Sequence, residues 1–309
     1  MRKKTTLKSV RRAYNKKWKY VLCMLPVIFL FALFIYYPRL SVIPLSFCKW
    51  GPYSFSKEYV GMLNYQILFE VRLKETLGYI SNTALYVLAL FGIQTLLAMI
   101  LALALQKNTS RNKFFRTYFF FPMVLSSTLV SLTWLYMYDP NLGIINSILG
   151  AFGVDGYPGV DFFAQNWRAI LLIVFVHIWA NIGYPMMIIN SGLNTVSEDL
   201  GEAAKIDGAS RWQTFWKVTI PLMLPTLLRL SLMTISTGVM ASDYVVMLGS
   251  RSSVKDFDTL SAYIFKKTLM SSSYGEVSAI SVLLMIFLSL VSLMQFVALK
   301  KVENSILGE

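Results

Sequence analysis

Long apolar runs recur along this chain, and a bilayer needs about 20 predominantly apolar residues at 1.5 Å rise each. The runs cover residues 20–37, 83–105, 117–138 and 169–189, a stretch that follows Pro221 and Pro225 and reaches Ala241, and residues 277–299. In lipid a helix satisfies its own backbone, so the expected fold is all-α and integral to the membrane, with six transmembrane helices. Composition agrees. The chain is 56% hydrophobic and 15% charged, with a mean hydropathy of +0.56, more apolar surface than a soluble domain buries. Cys23 and Cys48 are too few for a disulfide framework or a metal site, and they should lie on opposite sides of the first span.

Charge sets the orientation. Nine of the positive residues precede Tyr20, in a basic arm over residues 1–19. The net charge of +13 reads as a topology signal and a contact with anionic lipid, so no nucleic-acid partner is expected. The apolar part after the arm is long, and no small-x-small cleavage site follows it, so it is a retained span closed by Pro38 rather than a signal peptide. With both termini inside, the cytoplasmic segments hold nine, four, three and two Lys and Arg; the longer outer segments hold five, one and four. That bias supports an N-in, C-in topology. Outer segments are expected over 38–82, with short amphipathic pieces, and over 139–168, with a short helix near residues 144–152. Lys300 and Lys301 should stop the last span.

Residues 196–225 read VSEDLGEAAKIDGASRWQTFWKVTIPLMLP, a polar interruption between two apolar runs. Ser197 can cap a first short helix, with Glu198 and Asp199 in its first turn. Gly208 supplies the residue without a Cβ that an elbow needs. Ser210 and Gln213 form a capping-box pattern for a second short helix. Trp212, Phe215, Trp216 and Thr219 make a stripe on it beside Arg211 and Lys217, the build of a helix lying in the membrane interface.

This stretch resembles the cytoplasmic EAA loop of the permease subunits of binding-protein-dependent ABC importers. Glu202-Ala203-Ala204 is followed by Gly208 after three residues, then by nine residues and Val218-Thr219-Ile220-Pro221. Val218 and Ile220 depart from the family's Ile-x-Leu-Pro as apolar swaps. Other segments resemble elements of the carbohydrate-uptake, maltose-type branch. These are Val60-Gly61-Met62-Leu63-Asn64-Tyr65, Trp179 to Tyr184 followed by Gly192-Leu193, Asp243-Tyr244, and Thr259-Leu260 with Tyr263-Ile264-Phe265. Leu248 stands where the family's threonine would follow Asp243-Tyr244.

The resemblance implies the type I ABC importer permease fold in a bacterial or archaeal cytoplasmic membrane. It divides the chain into the arm 1–19 and a permease domain 20–309 that carries the coupling loop 196–221. The implied partners are a second permease subunit, two ATP-binding subunits, an extracytoplasmic solute-binding protein, a saccharide substrate and membrane lipid. ATP and Mg then belong to the partner subunits, with no cofactor in this chain. Leu200, Glu202, Ala203, Ala204, Lys205, Asp207, Gly208 and Pro221 become the residues that couple to the ATPase subunit. Ala203 and Ala204 let another backbone come close, and Leu200 and Ile206 offer apolar contact.

Polar side chains inside spans are the candidates for a substrate pathway. His177, Asn181, Tyr184 and Ile188 share a helix face. An amide at Asn181 must face a partner helix or a wet cavity, and both readings stand. Thr234 and Thr237 share a face of the fifth span, whose Arg229 is placed to snorkel out. Asp243 beside Tyr244 suits sugar hydroxyls and equally suits a solvated span end. The Ser126-Ser127-Thr128 run reads as packing or as pathway. The pathway set is Trp134, His177, Asn181, Tyr184, Thr234, Thr237, Asp243 and Tyr244.

Other classes are less well served. No G-x-x-x-x-G-K-[ST] loop occurs, and one histidine excludes H-E-x-x-H. A membrane enzyme would rest on His177 alone, and an ion-coupled secondary transporter would show ionisable residues deep in its spans. Glycerol-phosphate-like or other polar solutes remain as alternative cargo for the same architecture.

Overall fold

Each apolar run forms helix, but several of these helices bend, and the bends have local causes. The computed structural model describes residues 21–52, 56–154, 159–249, 258–270 and 273–307; the basic arm lies outside them. Among the described residues four helices are long and apolar enough to cross a membrane, and two bent pairs bring the number to six if each pair crosses once.

Helix α1 spans Val21–Leu45. It runs on beyond Pro38, contrary to the sequence expectation. A π turn, Ala32–Tyr36, ends with the Tyr37 N–H donating to Ala32 O, directly before the proline. The wider turn accommodates a residue that lacks a donor and whose ring would crowd the preceding turn.

The described residues form two compact units. In the unit holding residues 21–68 and 273–283, the end of α1 leads into a short antiparallel pair, β1 (Cys48–Lys49) with β2 (Glu58–Tyr59). Asn64, on the short helix α2 (Leu63–Gln66), donates to Ser46 O at 2.8 Å and Cys48 O at 3.0 Å. The Tyr65 hydroxyl donates to Ser46 Oγ at 2.8 Å. The Asn64-Tyr65 pair is thus a clasp on the end of α1. The backbone at Gly275 approaches so closely that a Cβ there would sit 2.0 Å from Cys48 O.

The second unit holds the described residues within 69–270 and 284–307. Helix α3 spans Leu73–Ala104, ten residues earlier than the apolar run alone suggests, because its polar first turns are helical too. The carbonyls at and just past its C-cap are met by Arg116, which donates through Nε to Leu105 O at 2.9 Å and through Nη2 to Gln106 O at 2.8 Å. A cation there satisfies groups a helix end leaves unpaired. Arg116 comes from α4 (Ser110–Phe120), capped by Thr109, whose Oγ1 accepts from Asn112 N–H.

The third apolar run is not one straight span. Ser110–Val124 and α5 (Ser127–Met137) meet at 95°. Pro122 lies in the first positions of a 3-10 turn, Phe121–Val124, and Ser126 opens α5 as its N-cap, accepting from Leu129 N–H. The fourth run also breaks: α7 (Asn166–Asn181) and α8 (Gly183–Leu193) meet at 57°, where Pro185 removes a ladder donor. Gly183 sits at the bend with Phe120 against it, and a Cβ there would lie 2.5 Å from Phe120 Cα.

Helix α6 (Ile144–Ala151) forms where a short helix was expected between the third and fourth apolar runs. Helix α9 (Glu198–Ile206) precedes the elbow. Beyond it, the expected second short helix is not separate. Arg211–Thr214, a π turn Phe215–Thr219 and Ile220–Met240 run on as helix α10. The π turn again ends just before a proline, with Ile220 N–H on Phe215 O. Helices α11 (Asp243–Gly249) and α12 (Leu260–Met270) follow. Helix α13 (Tyr274–Leu307) continues past Lys300 and Lys301; lysine is a good helix former, so leaving lipid need not end a helix. Arg229 on α10 pairs with Glu303 of α13 rather than simply reaching for solvent.

Small residues set the close contacts. Ala98 and Ala102 of α3 are fully buried where α8 packs against this helix, and the buried Asn190 donates to Ala102 O. Gly238 of α10 faces Leu90 and Val87 of α3, each 3.2 Å from where its Cβ would be. Backbone proximity of this kind holds helices together where burial from water supplies no driving force.

Candidate functional site

Two regions carry the polar chemistry. The first is α9 and its elbow. Ser197 Oγ caps α9 by accepting from Asp199 N–H. The far end closes with two bonds, Gly208 N–H to Lys205 O at 3.0 Å and Ala209 N–H to Ala204 O at 2.9 Å. That pair is a Schellman ending, and it needs the left-handed backbone Gly208 adopts at φ +81°. Ser210 and Gln213 make the capping box in both directions. Glu202, Ala203, Lys205, Asp207 and Gly208 are exposed, Ala204 is half-buried, and Pro221 is exposed at the start of the long part of α10. Leu200 is exposed, and Ile206 is 86% exposed. The helix therefore presents apolar side chains and two alanines on a polar surface, a composition suited to docking.

The second region is a cluster inside the helix bundle. His177 on α7 is 3% exposed. Its Nδ1 is 2.7 Å from the Tyr86 hydroxyl of α3, and its ring lies 4.8 Å from that of Tyr244 on α11. Asn181, one turn on, donates through Nδ2 to His177 O at 3.0 Å and to the Tyr244 hydroxyl at 3.1 Å. Asn181 thus does both things the sequence allowed: it bonds a neighbouring helix and faces a cavity. Asp243, at the first turn of α11, accepts from Ser127 Oγ of α5 at 2.8 Å.

Two cavities adjoin this cluster and share His177, Asn181 and Thr237. One, of about 170 Å³, is also lined by Gln94, Tyr184 and Thr234. The other, of about 480 Å³, is also lined by Ser127, Ser236, Asp243 and Tyr244. Seven of the eight expected pathway residues therefore come together on these cavities. Trp134 does not. It is buried against Tyr138, Phe175 and Trp179 and lines neither cavity. Ile188, placed by spacing on the same face, is packed against the core instead, because the bend before Gly183 turns α8 away from the line of α7.

Three participants were not singled out from sequence. Tyr86 is fully buried and holds His177. Ser127, noted only within a serine-rich run, ties α5 to α11. Gln94 lies at the end of a π turn, Leu90–Gln94, that widens α3. A lone amide in the middle of that apolar run was the available signal for Gln94.

The architecture is that of a polytopic helical membrane protein with a polar interior cavity and an exposed, capped short helix. The chain belongs to the family of binding-protein-dependent transport system inner membrane components, whose model matches residues 94–303. It is 30% identical over 296 residues to the multiple sugar-binding transport system permease protein MsmF of Streptococcus mutans, covering 96% of this chain and 99% of that one. It is 25% identical over 285 residues to the sn-glycerol-3-phosphate transport system permease protein UgpA of Agrobacterium fabrum, covering 91% and 94% of the two chains. Among solved structures, a bacterial ABC transporter involved in import of the acidic polysaccharide alginate shares the fold at a TM-score of 0.77, with 21% identity, over 94% of this chain and 98% of that one. The chain is accordingly an ABC importer permease with the type I fold, a transport subunit and not an enzyme.

Proposed function

We propose that this chain is one of two permeases in an importer that moves a saccharide across the cytoplasmic membrane of a bacterium or archaeon. The observation that carries this reading is the exposed helix α9, rigidly capped at both ends yet leaving Leu200 and Ile206 uncovered. In the proposed assembly two ATP-binding subunits hold the ATP and Mg, and α9 with Glu202, Lys205 and Asp207 docks on one of them. The charge bias of the loops supports six spans with both termini inside, the arm 1–19 and the loop 196–221 lying in the cytoplasm. Closure of the ATPase pair displaces α9. The Gly208 elbow passes that displacement to α10, which carries Thr234 and Thr237, so the bundle alternates between outward and inward access around the cavity. His177, Asn181, Tyr184, Thr234, Thr237, Asp243 and Tyr244 are the proposed pathway, with Trp134 as support behind them. The resemblance to MsmF supports saccharide cargo, and the resemblance to UgpA keeps a glycerol-phosphate-like solute as the second reading.

The test is reconstitution of the chain with its partner permease, ATPase subunits and binding protein. ATP-driven sugar uptake that is lost on Gly208→Val is expected. Uptake driven by an ion gradient through this chain alone would contradict the assignment.

A further inference from the structure

Helical threonines in this protein commonly close on their own backbone. Thr83, Thr133 and Thr268 each donate to the carbonyl four residues earlier, at 2.7, 2.9 and 2.7 Å. Thr234 and Thr237 face the cavity instead, and no hydrogen bond among the described residues uses their hydroxyls. Gln94 behaves in the same way. It is 5% exposed and lines the same cavity, and its amide has no protein partner among the described residues. The three are brought together by the close crossing at Gly238: Gln94 lies one turn beyond Leu90 on α3, and Thr234 one turn before Gly238 on α10. Asn181 spends its Nδ2 on His177 O and Tyr244, leaving its carbonyl oxygen to accept. Gln94 and Thr234 are buried and Thr237 is exposed; polar groups left open inside a membrane span mark the place where a polar solute meets them.

The charge of this lining is informative. Among the described residues neither cavity is lined by a lysine or arginine, and Asp243 is the one charged residue on them. An anion entering here would meet a carboxylate and no counter-charge, in surroundings that screen poorly. Family membership leaves this question open, since relatives are named for a glycerol phosphate and for an acidic polysaccharide as well as for sugars.

We propose that the cavity takes uncharged, hydroxyl-rich solutes and rejects phosphorylated or uronate ones, with Gln94, Thr234 and Thr237 as the groups that read the hydroxyls. The inference rests on the importer function proposed above and adds the charge of the cargo and a specificity residue, Gln94.

Equilibrium binding to the complex of permeases and ATPase subunits, assembled in nanodiscs without the binding protein, separates this cavity's selectivity from that protein's. Maltose, sucrose and maltotriose serve as neutral probes, glycerol 3-phosphate and digalacturonate as anionic ones. At least one neutral probe is expected to bind about tenfold more tightly than either anion, and Gln94→Ala to weaken it about tenfold, because a site built to bond a hydroxyl loses strongly when one partner goes. Gln94→Asn, which keeps the amide, should recover part of that loss, and co-purification of the ATPase subunits shows that each variant has assembled. Glycerol 3-phosphate bound as tightly as the neutral sugars overturns the charge rule. A Gln94→Ala affinity within about twofold of the parent overturns Gln94 as a reading group. Sugar uptake by the complete importer with no probe bound by the nanodisc complex overturns this cavity as the cargo site. Absence of any ATP-driven uptake by the complete importer overturns the function itself.

Discussion

Residues 197–214 and the cluster around His177 are both polar interruptions of an apolar chain, and they are satisfied in opposite ways. Around α9 nearly every bond spans five residues or fewer: Ser197 to Asp199, Ala209 to Ala204, Ser210 to Gln213. Around His177 the bonds join helices far apart in sequence, Tyr86 to His177 and Ser127 to Asp243. A helix proposed to meet another protein as a lever needs its own rigidity, and local caps provide it whatever the rest of the bundle does. A cavity that changes access needs bonds between helices, since those are the bonds a rearrangement can exchange.

The comparison breaks most readily at the bend that shapes the cavity. Gly183→Val places carbon into the Phe120 backbone, where a Cβ alone would lie 2.5 Å from Phe120 Cα. A destabilisation of about 3 kcal/mol is expected from such overpacking, seen as a lower thermal midpoint and poor yield of the complex. Next comes Tyr86→Phe, which leaves the His177 ring nitrogen buried without its partner. It should cost about 2 kcal/mol, and adding His177→Phe should restore part of the loss in a double-mutant cycle. A similar loss with no coupling between the two would dissolve the cluster as a unit.

As the proposed lever, α9 with its elbow is expected to respond more gently in stability and more sharply in coupling. Gly208→Val forces a branched residue into left-handed backbone, a strain of about 1–2 kcal/mol, and is expected to cut substrate-stimulated ATP hydrolysis at least as strongly as it lowers stability. Gly208→Asn should retain most of that coupling, because asparagine tolerates the same backbone. Ser210→Ala removes one half of the capping box and should cost about 1 kcal/mol, read as a small shift in midpoint with assembly intact.

The same contrast explains what could be read in advance. The caps of α9 and α10, the Gly208 elbow and the apolar runs obey rules that span a few residues, so they were legible in order along the chain. The breaks at 95° and 57° were not. Pro122 and Pro185 were visible, but Pro38, Pro221 and Pro225 sit in helices that continue, so a proline alone does not say whether a span breaks. A π turn takes up the missing bond ahead of Pro38 and Pro221, whereas Pro225 sits inside continuous α-helix without one, so the outcome depends on packing neighbours. Asn181 was legible as an amide needing a partner; its bond to His177 O is local to α7, whereas Tyr244 as its second acceptor came only with packing. Gln94 was readable by the reasoning applied to Asn181, and Trp134 shows the opposite case: an aromatic in a span that serves packing rather than the cavity.

Ile206 offers the most direct test of the central claim that α9 is a docking lever. It is 86% exposed in this chain, so Ile206→Asp should leave the folding of the permease itself unaffected. Pull-down of the co-expressed ATPase subunit, read alongside its substrate-stimulated ATP hydrolysis, is expected to fall about tenfold or more, as for a buried anchor lost from an interface. Undiminished capture and stimulation would contradict the account, because α9 would then be touching nothing that drives transport.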